Sequence, residues 1–410
     1  MPEFLTLLPP HEALKKLLDE IKGRPSSEII NSADGLGRIT VEEVKAGYPL
    51  PSFQRTTVDG YAVKAQDTHG ASDTLPAYLR LVGEVPMGGA PGFRVGNHEC
   101  ALIHTGGMIP DGADAVVMVE NTQIARDGEV EILRAVSNGE NVLQIGEDVS
   151  EGQEVIPAGT KLRPAEIGGL MALGVTEITV AKQPVVGILS SGDEVVPPEE
   201  ELRPGQVRDI NSYTLRSLII HAGGTPMTYG IVPDYFEAMK EKVGKAMSEC
   251  DLVVITAGSS ASTRDLTAKV IDELGEPGVL VHGVNVRPGK PTILGLCDGV
   301  PVIGLPGNPV SALVIAGLFV VPVIERLSGL KIDRPNASIP AKLTLNLSSK
   351  AGREDWIAVK LNSSETGYLA EPIFGKSNLI FTLVQADGLI RIPPSANGLE
   401  AGENVMVRLI

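Results

Sequence analysis

Two turns rich in proline and glycine contain the residues best suited to bind an anion. They are Arg287-Pro288-Gly289-Lys290-Pro291 and Leu305-Pro306-Gly307-Asn308-Pro309, and a short apolar run precedes the second turn. In an open α/β sheet, ligands bind beyond the carboxyl ends of the strands, and unpaired N–H groups at a helix start attract anions. Either turn alone is equally consistent with a structural role. Together with the arginine and the lysine, the two turns predict a site for phosphate or another oxyanion.

Acidic residues follow several predicted strands in the same part of the chain. Glu194 and Asp234 each come after a strand, and Asp265 stands at a predicted helix start, where aspartate is also a common cap. Carboxylates that meet at one edge of a sheet can hold a hard cation such as Mg²⁺, which prefers oxygen ligands. Such a cation would allow an acidic protein to bind a negatively charged substrate.

A loop of small and hydroxyl residues leads from an apolar strand towards Asp265. Its residues are Gly258, Ser259, Ser260, Ala261, Ser262 and Thr263, and their N–H and O–H groups can donate to phosphate. The sequence contains no Walker loop, no nucleophile elbow, no HExxH motif and no CxxC motif. The local interpretation is therefore an anion site without a recognisable protein nucleophile.

The composition limits the classes of partner. The chain has 410 residues and a formal net charge of −16, which disfavours nucleic acid and anionic membrane surfaces as partners. Aromatic residues make up only 4%, so stacking platforms for bases are not expected. The three cysteines lack metal-ligand spacing and lie in or beside apolar runs, which indicates buried, reduced thiols. Met1–Pro10 has no signal-peptide pattern, so we expect a cytoplasmic protein.

Residues 182–330 alternate between apolar strands and helices, which predicts a doubly wound α/β domain. We expect strands at 184–191, 228–232, 251–257, 279–286, 292–297 and 300–305, and helices at 211–223, 235–248, 265–274 and 308–326. Asn211 is expected to cap the first of these helices and Gly223 to end it.

The rest of the chain has different patterns of apolar and polar residues. Residues 11–22 have the spacing of an amphipathic helix, 51–140 contain short strands with many glycines, and 331–410 contain short alternating runs typical of a small β-barrel or sandwich. We therefore predict a multidomain α/β plus β protein. Its domains are a discontinuous N-terminal domain (1–50 and 141–181), a β-rich inserted domain (51–140), a central α/β domain (182–330) and a C-terminal β-barrel (331–410).

Several segments, taken together and in order, resemble one known family. They are TTVDGYA (56–62), TGGMIPDGADAVVMVE (105–120), GED (146–148), SSGDEVV (190–196), RPGKP (287–291), LPGNPVSA (305–312) and SNLIFTLVQADGLIRIP (377–393). The sequence resembles molybdopterin molybdenumtransferase, the MoeA family, which includes the E domain of gephyrin. The resemblance covers nearly the whole chain.

The resemblance implies an elongated homodimer of four-domain subunits, with a MogA-like central domain and sites shared between subunits. It implies a transferase of molybdenum cofactor biosynthesis that inserts molybdate into the dithiolene of adenylylated molybdopterin and releases AMP, with Mg²⁺ or a similar divalent ion. Because the substrate supplies the sulfur atoms, such a protein must chiefly position two anions and a metal.

The resemblance also assigns roles to residues. The catalytic positions are Asp59, Asp148, Asp234 and Asp265, and the metal positions are Asp59, Asp148, Glu194 and Asp265. The substrate-binding positions are Thr105, Gly106, Glu194, Gly258, Ser259, Ser260, Ser262, Arg287, Lys290, Pro306, Gly307, Pro309 and Ser377.

The chain departs from the family pattern at three places. The segment 258–263 stands where the family has Gly-Gly-Val-Ser-Val/Met-Gly, and serine in place of glycine restricts backbone with positive φ. Leu143-Gln144-Ile145 stands where arginines often precede Gly-Glu-Asp, and Gly283 stands where a basic residue is frequent. These changes remove positive charge near the expected oxyanion and leave tungstate open as an alternative to molybdate.

Two other functions remain open at this point. A molybdopterin adenylyltransferase shares the α/β fold but would need ATP turnover, and the additional N- and C-terminal domains argue against it. A scaffold like the gephyrin E domain usually accompanies a second α/β module and a long linker, and this chain contains neither.

Overall fold

The chain folds into two compact units. The computed structural model describes residues 7–23, 25–126, 128–257, 261–331 and 337–410, and at 257 and 261–265 it describes the backbone alone. The larger unit comprises Met1–Glu42, Ala158–Pro164 and Glu177–Ile410. The smaller unit comprises Glu43–Pro157 and Ala165–Thr176. Each unit is therefore assembled from separate stretches of the chain.

A six-stranded sheet forms the centre of the larger unit. Its strands, in order across the sheet, are Thr225–Val232, Val185–Ser191, Leu252–Ala257, Val300–Pro306, Ile293–Cys297 and Pro277–His282. The first four are parallel, and the last two form an antiparallel edge. The parallel strands have nearly continuous apolar sequences because both faces of the sheet are covered by helices.

The helices divide into two layers. Pro10–Glu20, Asn211–Ala222 and Pro309–Leu327 share one core with the sheet, and Phe236–Glu249 and Ala261–Leu274 share another. Buried members of the two cores are Leu17, Leu215, Phe319, Met239 and Ile271. The doubly wound α/β architecture predicted from the alternating pattern is confirmed.

The helix Pro309–Leu327 is apolar along most of its length, and its charged residues, Glu325 and Arg326, lie near its end. It contains a π-helical segment, Ala316–Val320, between the α-helical segments Pro309–Ile315 and Val321–Leu327. By length and composition it could cross a membrane, but 56% of its apolar window is buried inside the structure. One side contributes to the α/β core and another packs against the barrel, which explains its composition.

The C-terminal strands form a closed barrel. The sheet order is Val286–Arg287, Glu354–Ser364, Gly367–Pro372, Ser338–Leu343, Asn404–Leu409 and Gly388–Ile392, and the second strand also pairs with the last. That extra pairing closes the sheet and confirms the predicted barrel. The strand predicted at 279–286 is therefore divided, because its end leaves the α/β sheet and joins the barrel.

The smaller unit contains a six-stranded sheet of its own. Its strands, in order, are Ala115–Met118, Gly60–Val63, Glu99–Ile103, Ala77–Glu84, Glu129–Ile132 and Thr122–Arg126. Two short ladders flank it, Arg55–Thr56 with Val142–Leu143 and Val44–Lys45 with Glu154–Ile156. This sheet confirms the predicted β-rich N-terminal part.

The remaining elements are short. The larger unit has the antiparallel pairs Ser27–Asn31 with Glu177–Ala181 and Leu347–Ser348 with Gly398–Leu399, the parallel pair Val195–Val196 with Val207–Arg208, and the helix Phe381–Val384. Single 3₁₀ turns occur at Ser32–Asp34, Ala65–Thr68 and Val119–Asn121, and the helix Pro164–Ala172 carries the chain into the last part of the smaller unit.

The three cysteines are buried free thiols, as the sequence predicts. Burial raises the pKa of Cys100 to about 12 and the pKa of Cys297 to about 11, because a thiolate loses its hydration there. Both thiols are therefore protonated and unreactive at neutral pH.

Candidate functional site

A cavity of about 310 Å³ opens at the carboxyl ends of the parallel strands in the larger unit. Its lining residues are Ser190, Ser191, Glu194, Val195, Val207, Arg208, Asp209, Ile210, Asn211, Thr256, Gly307, Asn308, Pro309 and Asn378. This is the edge at which open α/β sheets bind ligands. The volume lies at the lower end of the range for small-molecule sites, about 300–1,000 Å³.

A network of buried hydroxyl groups holds one carboxylate beside the cavity. Oγ of Ser190 donates to Oδ1 of Asp209 at 3.0 Å, and it lies 3.0 Å from Oγ of Ser212 and 3.1 Å from Oγ1 of Thr256. The backbone N–H of Ser212 also donates to Oδ1 of Asp209 at 3.1 Å. Because a buried carboxylate needs such donors, the network fixes Asp209, which is only 8% exposed.

Two buried polar atoms in the cavity lining have no hydrogen-bond partner within the part of the chain that the structure describes. They are Oγ of Ser191 and Oδ1 of Asn211, in residues that are 4% and 9% exposed. The side-chain amide of Asn211 donates to the carbonyl of Gly307 at 2.8 Å, which fixes its orientation. An unsatisfied buried polar atom costs about 1–3 kcal/mol. A ligand that presents a donor to Asn211 would remove this cost.

The expectation that Asn211 caps its helix is wrong. Asp209 accepts the hydrogen bond from the first turn instead, and the side chain of Asn211 is directed to Gly307. Ser191, Asp209 and Asn211 are absent from the predicted site residues. The pattern Asp-x-Asn before an apolar helix was the available signal, but it equally indicates a cap. Only the neighbouring strand and turn reveal that these side chains line a cavity.

The cationic turn and the Pro/Gly turn lie at the same edge of the sheet. Ile293, shortly after the first turn, pairs with Gly304, shortly before the second. Gly289 has φ of +112°, and a Cβ at this position would overlap the side chain of Ile315 in the helix that follows the second turn. Glycine is therefore required at this point of contact.

Arg287 is placed beside a second arginine, Arg353, which is not among the predicted residues. Asp355 is fully buried and accepts hydrogen bonds from Nε of Arg353 at 2.6 Å and from Nη2 at 2.9 Å. Its Oδ2 lies 3.9 Å from Nη1 of Arg287, whose side chain is 64% exposed. Two guanidinium groups share one carboxylate, so with Lys290 in the same turn the local charge is positive. Guanidinium groups suit oxyanions because they donate in pairs.

A segment of the barrel reaches the Pro/Gly turn. Nδ2 of Asn308 donates to Oγ of Ser377 at 3.0 Å, and the backbone N–H of Val310 donates to the carbonyl of Ser377 at 3.1 Å. The neighbouring Asn378 lines the cavity. The structure therefore brings the predicted residue Ser377 to the turn that contains Pro306, Gly307 and Pro309.

Glu194 and Asp234 follow adjacent parallel strands, so they lie near the same part of the sheet edge. The backbone N–H of Asp234 donates to Oδ1 of Asp193 at 3.4 Å. Of the predicted residues at this edge, Glu194, Gly307 and Pro309 line the cavity. Asp234, Arg287, Lys290, Pro306 and Ser377 lie outside its lining.

In the smaller unit, Asp59 and Thr105 form a compact polar site. Oδ1 of Asp59 accepts a hydrogen bond from the backbone N–H of Thr105 at 2.7 Å and one from its hydroxyl at 3.1 Å. These bonds, the backbone one first, lower the pKa of Asp59. His104 lies between two carboxylates, with Nε2 3.0 Å from Oε1 of Glu84 and Nδ1 3.8 Å from Oδ1 of Asp59. Asp59 is thus an oriented, exposed carboxylate.

The backbone around this site depends on glycine. A Cβ on Gly60 would overlap the carbonyl oxygen of Val117, and Gly106 has φ of +85°. The N–H of Gly106 donates to Thr56, whose strand pairs with Val142–Leu143. Asp148 is exposed in the turn that follows this second strand. The ladder therefore connects the loops that contain Thr105 and Asp148.

The metal set predicted from the sequence is not assembled within either unit. Asp59 and Asp148 belong to the smaller unit and Glu194 to the larger, while Asp265 has no described side chain. Among the residues whose positions are described, no group of three His, Cys, Asp or Glu side chains has an arrangement that could hold a metal ion. The described donors therefore do not form a ready-made Mg²⁺ site.

The serine-rich loop lies partly outside the described residues. Gly258, Ser259 and Ser260 lie outside the described residues, and Ser262 and Asp265 belong to the helix Ala261–Leu274, of which only the backbone is described at these positions. The helix begins before the predicted start at 265. The roles of these five residues remain predictions.

Three family models match the chain in order. They are described as "MoeA N-terminal region (domain I and II)" at residues 8–174, "Probable molybdopterin binding domain" at 187–326 and "MoeA C-terminal region (domain IV)" at 340–410. The chain belongs to the MoeA family. The cavity at the sheet edge lies in the part matched by the second model and extends to Asn378 in the part matched by the third.

Full-length relatives support the assignment to the MoeA family. A molybdopterin biosynthesis MoeA protein structure from Pyrococcus horikoshii is 38% identical, with a TM-score of 0.79 over 98% of this chain and 99% of that one. The molybdopterin molybdenumtransferases of Nostoc and Bacillus subtilis are 32% and 30% identical, over 95% and 100% of this chain and 90% and 96% of their own lengths. The boundaries predicted between the four domains of this MoeA chain remain predictions.

Proposed function

We propose that this chain is a molybdopterin molybdenumtransferase, which inserts molybdate into adenylylated molybdopterin and releases AMP. The observation that carries the proposal is the ordered match of all three MoeA regions along one chain, with relatives of that name aligned over nearly its full length. An adenylyltransferase would not need this complete arrangement, and the relatives of similar length are named molybdenumtransferases, so neither an adenylyltransferase nor a scaffold is favoured.

The reaction requires positioning more than chemical participation by the protein. The two sulfur atoms of the substrate replace two oxygen atoms of molybdate, which leave as water with protons from the thiols and the solvent, and hydrolysis of the phosphoanhydride bond of the substrate by water releases AMP. Holding two anions in a productive geometry, with donors directed at developing charge, can supply several kcal/mol of the barrier. The absence of a nucleophile motif from the sequence is consistent with this kind of catalysis.

In the larger unit, the cavity would bind the uncharged, hydrogen-bonding part of the substrate. Oδ1 of Asn211 would accept from an N–H or O–H of the ligand, and the hydroxyl of Ser191 would donate or accept. The buried network around Ser190 keeps Asp209 rigid beside them. Both free atoms therefore gain partners on binding, which favours the complex.

The anionic part of the substrate would lie near the cationic turn. Arg287 and Arg353 are held together by Asp355, and Lys290 is three residues after Arg287. This local positive charge offsets the repulsion expected from a chain with a net charge of −16. Oxyanion binding by these three cations is the simplest explanation for so much positive charge at one edge.

Further parts of the proposal come from the resemblance. We propose a homodimer with sites shared between subunits, a cytoplasmic location, and no nucleic acid or membrane partner. Asp59 and Asp148 would act near the oxyanion, Asp234 and Asp265 near the nucleotide, and Mg²⁺ would be required. Mg²⁺ commonly uses one or two carboxylates together with substrate phosphates.

The test is AMP release by the purified full-length protein from adenylylated molybdopterin. The proposal expects release with molybdate and a divalent cation, and none when either is withheld. Tungstate, tested in parallel, determines whether the altered residues at 143–145 change the choice of oxyanion. AMP formation at the same rate without any oxyanion, or no AMP under any condition, would exclude the insertase function.

A further inference from the structure

Two oxygen atoms in the buried wall of the cavity at the sheet edge are free to accept hydrogen bonds. Oδ1 of Asp209 accepts from Oγ of Ser190 and from the backbone N–H of Ser212, whereas Oδ2 accepts no hydrogen bond from the residues that the structure describes. Oδ1 of Asn211 also lacks a partner among them, while the side-chain amide donates to Gly307. Carboxylate and amide oxygens only accept hydrogen bonds. A ligand at this wall must therefore supply the donors.

The neighbouring hydroxyl groups of the network do not supply these donors. A hydroxyl has one hydrogen, and that of Ser190 is donated to Asp209. Ser190 therefore accepts from Ser212 at 3.0 Å and from Thr256 at 3.1 Å. The other acceptor near Thr256, the carbonyl of Leu189, is farther away, at 3.5 Å. The hydrogens of the network thus point towards Asp209, and Thr256 presents lone pairs to the cavity that it lines.

The charged residues of the lining do not favour an anion. They are Glu194, Arg208 and Asp209, two acids and one base. Nε of Arg208 already donates to the carbonyl of Pro198 at 2.8 Å. Glu194 and Arg208 are exposed, so the buried polar wall is formed by Asp209 and Asn211. This wall suits an uncharged ring that carries N–H donors, because a buried oxygen needs a donor in place of the water that it has lost.

We propose that Asp209 and Asn211 are specificity-determining residues that bind the amino group of the pterin ring and the ring N–H beside it. The inference rests on the proposed function, which supplies the class of ligand. A pterin presents these two donors on neighbouring atoms, and its ring carbonyl can accept from the unpaired hydroxyl of Ser191. Adenine instead has one amino group between two acceptor nitrogens, whose lone pairs would face the free oxygens. The pterin end therefore occupies the cavity, and the AMP end extends from it.

The size and the apolar walls of the cavity agree with one flat ring system. A volume of about 310 Å³ lies at the lower end for small-molecule sites, so the cavity holds one end of the adenylylated substrate rather than all of it. Val195, Ile210 and Pro309 contribute apolar surface to the lining, and such surface packs against the faces of a ring. Apolar contacts at the faces and a few polar groups at the edge are typical of cofactor sites.

A pair of ligands that differ at a single group tests the inference on the full-length protein. The probe is hydroxymethylpterin, and the matched ligand is hydroxymethyllumazine, in which an oxygen replaces the amino group. Titration calorimetry should show saturable binding of the pterin and about tenfold or more weaker binding of the lumazine, because a lone pair of the lumazine then faces a free oxygen of the wall. AMP should not displace the pterin, since the nucleotide end lies outside the cavity.

Two variants and a control test the residues themselves. Asp209→Asn keeps an oxygen for the hydroxyl network but places an NH₂ group at the position of Oδ2. It should weaken the pterin and strengthen the lumazine, so the ratio of the two affinities should fall by about tenfold or more, whereas a purely structural role would weaken both ligands alike. Asn211→Ala should weaken the pterin by about threefold to tenfold. Ser217→Ala is the control, since Ser217 is an exposed residue of the same helix that is absent from the lining.

Several results would overturn the inference. The native protein would show no saturable pterin binding, or equal affinity for pterin and lumazine. Competitive displacement of the pterin by AMP would place the nucleotide end in the cavity instead. An unchanged ratio of affinities in Asp209→Asn, with native thermal unfolding, would contradict the role of Asp209. If that variant does not fold, native affinity for the pterin in Asn211→Ala overturns the inference by itself.

The outcomes separate this inference from the proposed function. AMP release by a protein without a preference for the pterin would reject the inference and leave the insertase function in place. A preference for the pterin without AMP release under any condition would reject the insertase function and leave the assignment of the cavity in place.

Discussion

Asp59 and Thr105 are joined by two hydrogen bonds to one carboxylate oxygen, 2.7 Å from the backbone N–H and 3.1 Å from the hydroxyl. The residues are far apart in sequence, and the pairing of Gly60–Val63 with Glu99–Ile103 brings them together. The bonds lower the pKa of Asp59, so an exposed carboxylate is kept anionic and oriented. Of the two acidic site residues predicted in the smaller unit, Asp59 and Asp148, Asp59 is therefore the one whose carboxylate has a clearly defined orientation.

Asp59→Asn is expected to lower AMP release by about 100-fold or more, because it removes a charge that the proposed function places near the reacting groups. Asp73→Asn is the matched control, since Asp73 is an exposed aspartate of the same unit. Thermal unfolding should be nearly unchanged in both variants. Asp265→Asn should also abolish turnover, and full activity in both Asp59→Asn and Asp265→Asn would remove these residues from the site.

Thr105→Val tests the cause of the lowered pKa. The folded pKa of Asp59 is depressed, so its anionic contribution is present above the unfolded pKa and is lost as pH falls through the folded pKa. Loss of the hydroxyl bond should raise the pKa of Asp59 and move the acidic limb of the AMP-release profile to higher pH. The shift should be partial, because the backbone N–H of Thr105 remains.

The control for this pH profile is Thr122→Val, because the hydroxyl of Thr122 donates to the carbonyl of Val119 and has no hydrogen bond to a carboxylate among the described residues. Its acidic limb should coincide with that of the native protein. If the acidic limb of Thr105→Val also coincides with that of the native protein, then the ionisation of Asp59 does not limit AMP release at low pH.

Ser191→Ala and Ser190→Ala should have different effects on the free energy of unfolding and on substrate binding, although the two residues are neighbours. Ser191 has a buried hydroxyl without a described partner, so its loss should leave the free energy of unfolding unchanged or slightly higher. Binding of adenylylated molybdopterin, measured by calorimetry, should weaken by about threefold to tenfold. Ser190→Ala should instead cost about 1–3 kcal/mol in urea unfolding, because three side chains lose a partner. Equal effects on stability would argue against a ligand-facing Ser191.

Asp355→Asn should destabilise the protein by about 3 kcal/mol in urea unfolding, because it breaks a buried ion pair on one side only. Asp355 is fully buried and faces two arginines. Glu129→Gln breaks the more exposed pair with Arg126 and should cost less than about 1 kcal/mol. A cost for Asp355→Asn as small as that of the control would show that this carboxylate does not organise Arg287 and Arg353.

Much of the fold could be predicted because its patterns are local. The apolar runs of the parallel strands, the glycine that ends the helix Asn211–Ala222 and the amphipathic spacing of Pro10–Glu20 each report local structure. Local sequence patterns could not predict that the strand expected at 279–286 is divided between two sheets. Val286 and Arg287 leave one sheet for another because they pair with Glu354 and Asp355, and such long-range pairing has no local signal.

Site residues could be predicted where one short turn contains both the required glycine and the charged side chains. The two Pro/Gly turns could be recognised from Gly289 and the adjacent cations. Arg353 could not, because its position beside Arg287 depends on Asp355 and on strand pairing between the barrel and the chain before the turn. Asn211 was misassigned for a related reason, since a helix-start asparagine has the same sequence signal whether it caps the helix or lines a cavity.

The central claim is tested most directly by counting AMP and molybdenum in the same single-turnover reaction. Full-length protein is loaded with adenylylated molybdopterin, molybdate and a divalent cation are added, and both released AMP and pterin-bound molybdenum are measured over time. The account predicts that one AMP appears for each molybdenum atom inserted, with the same time course, and that Asp59→Asn produces neither. AMP release that proceeds without molybdenum entering the pterin would contradict it.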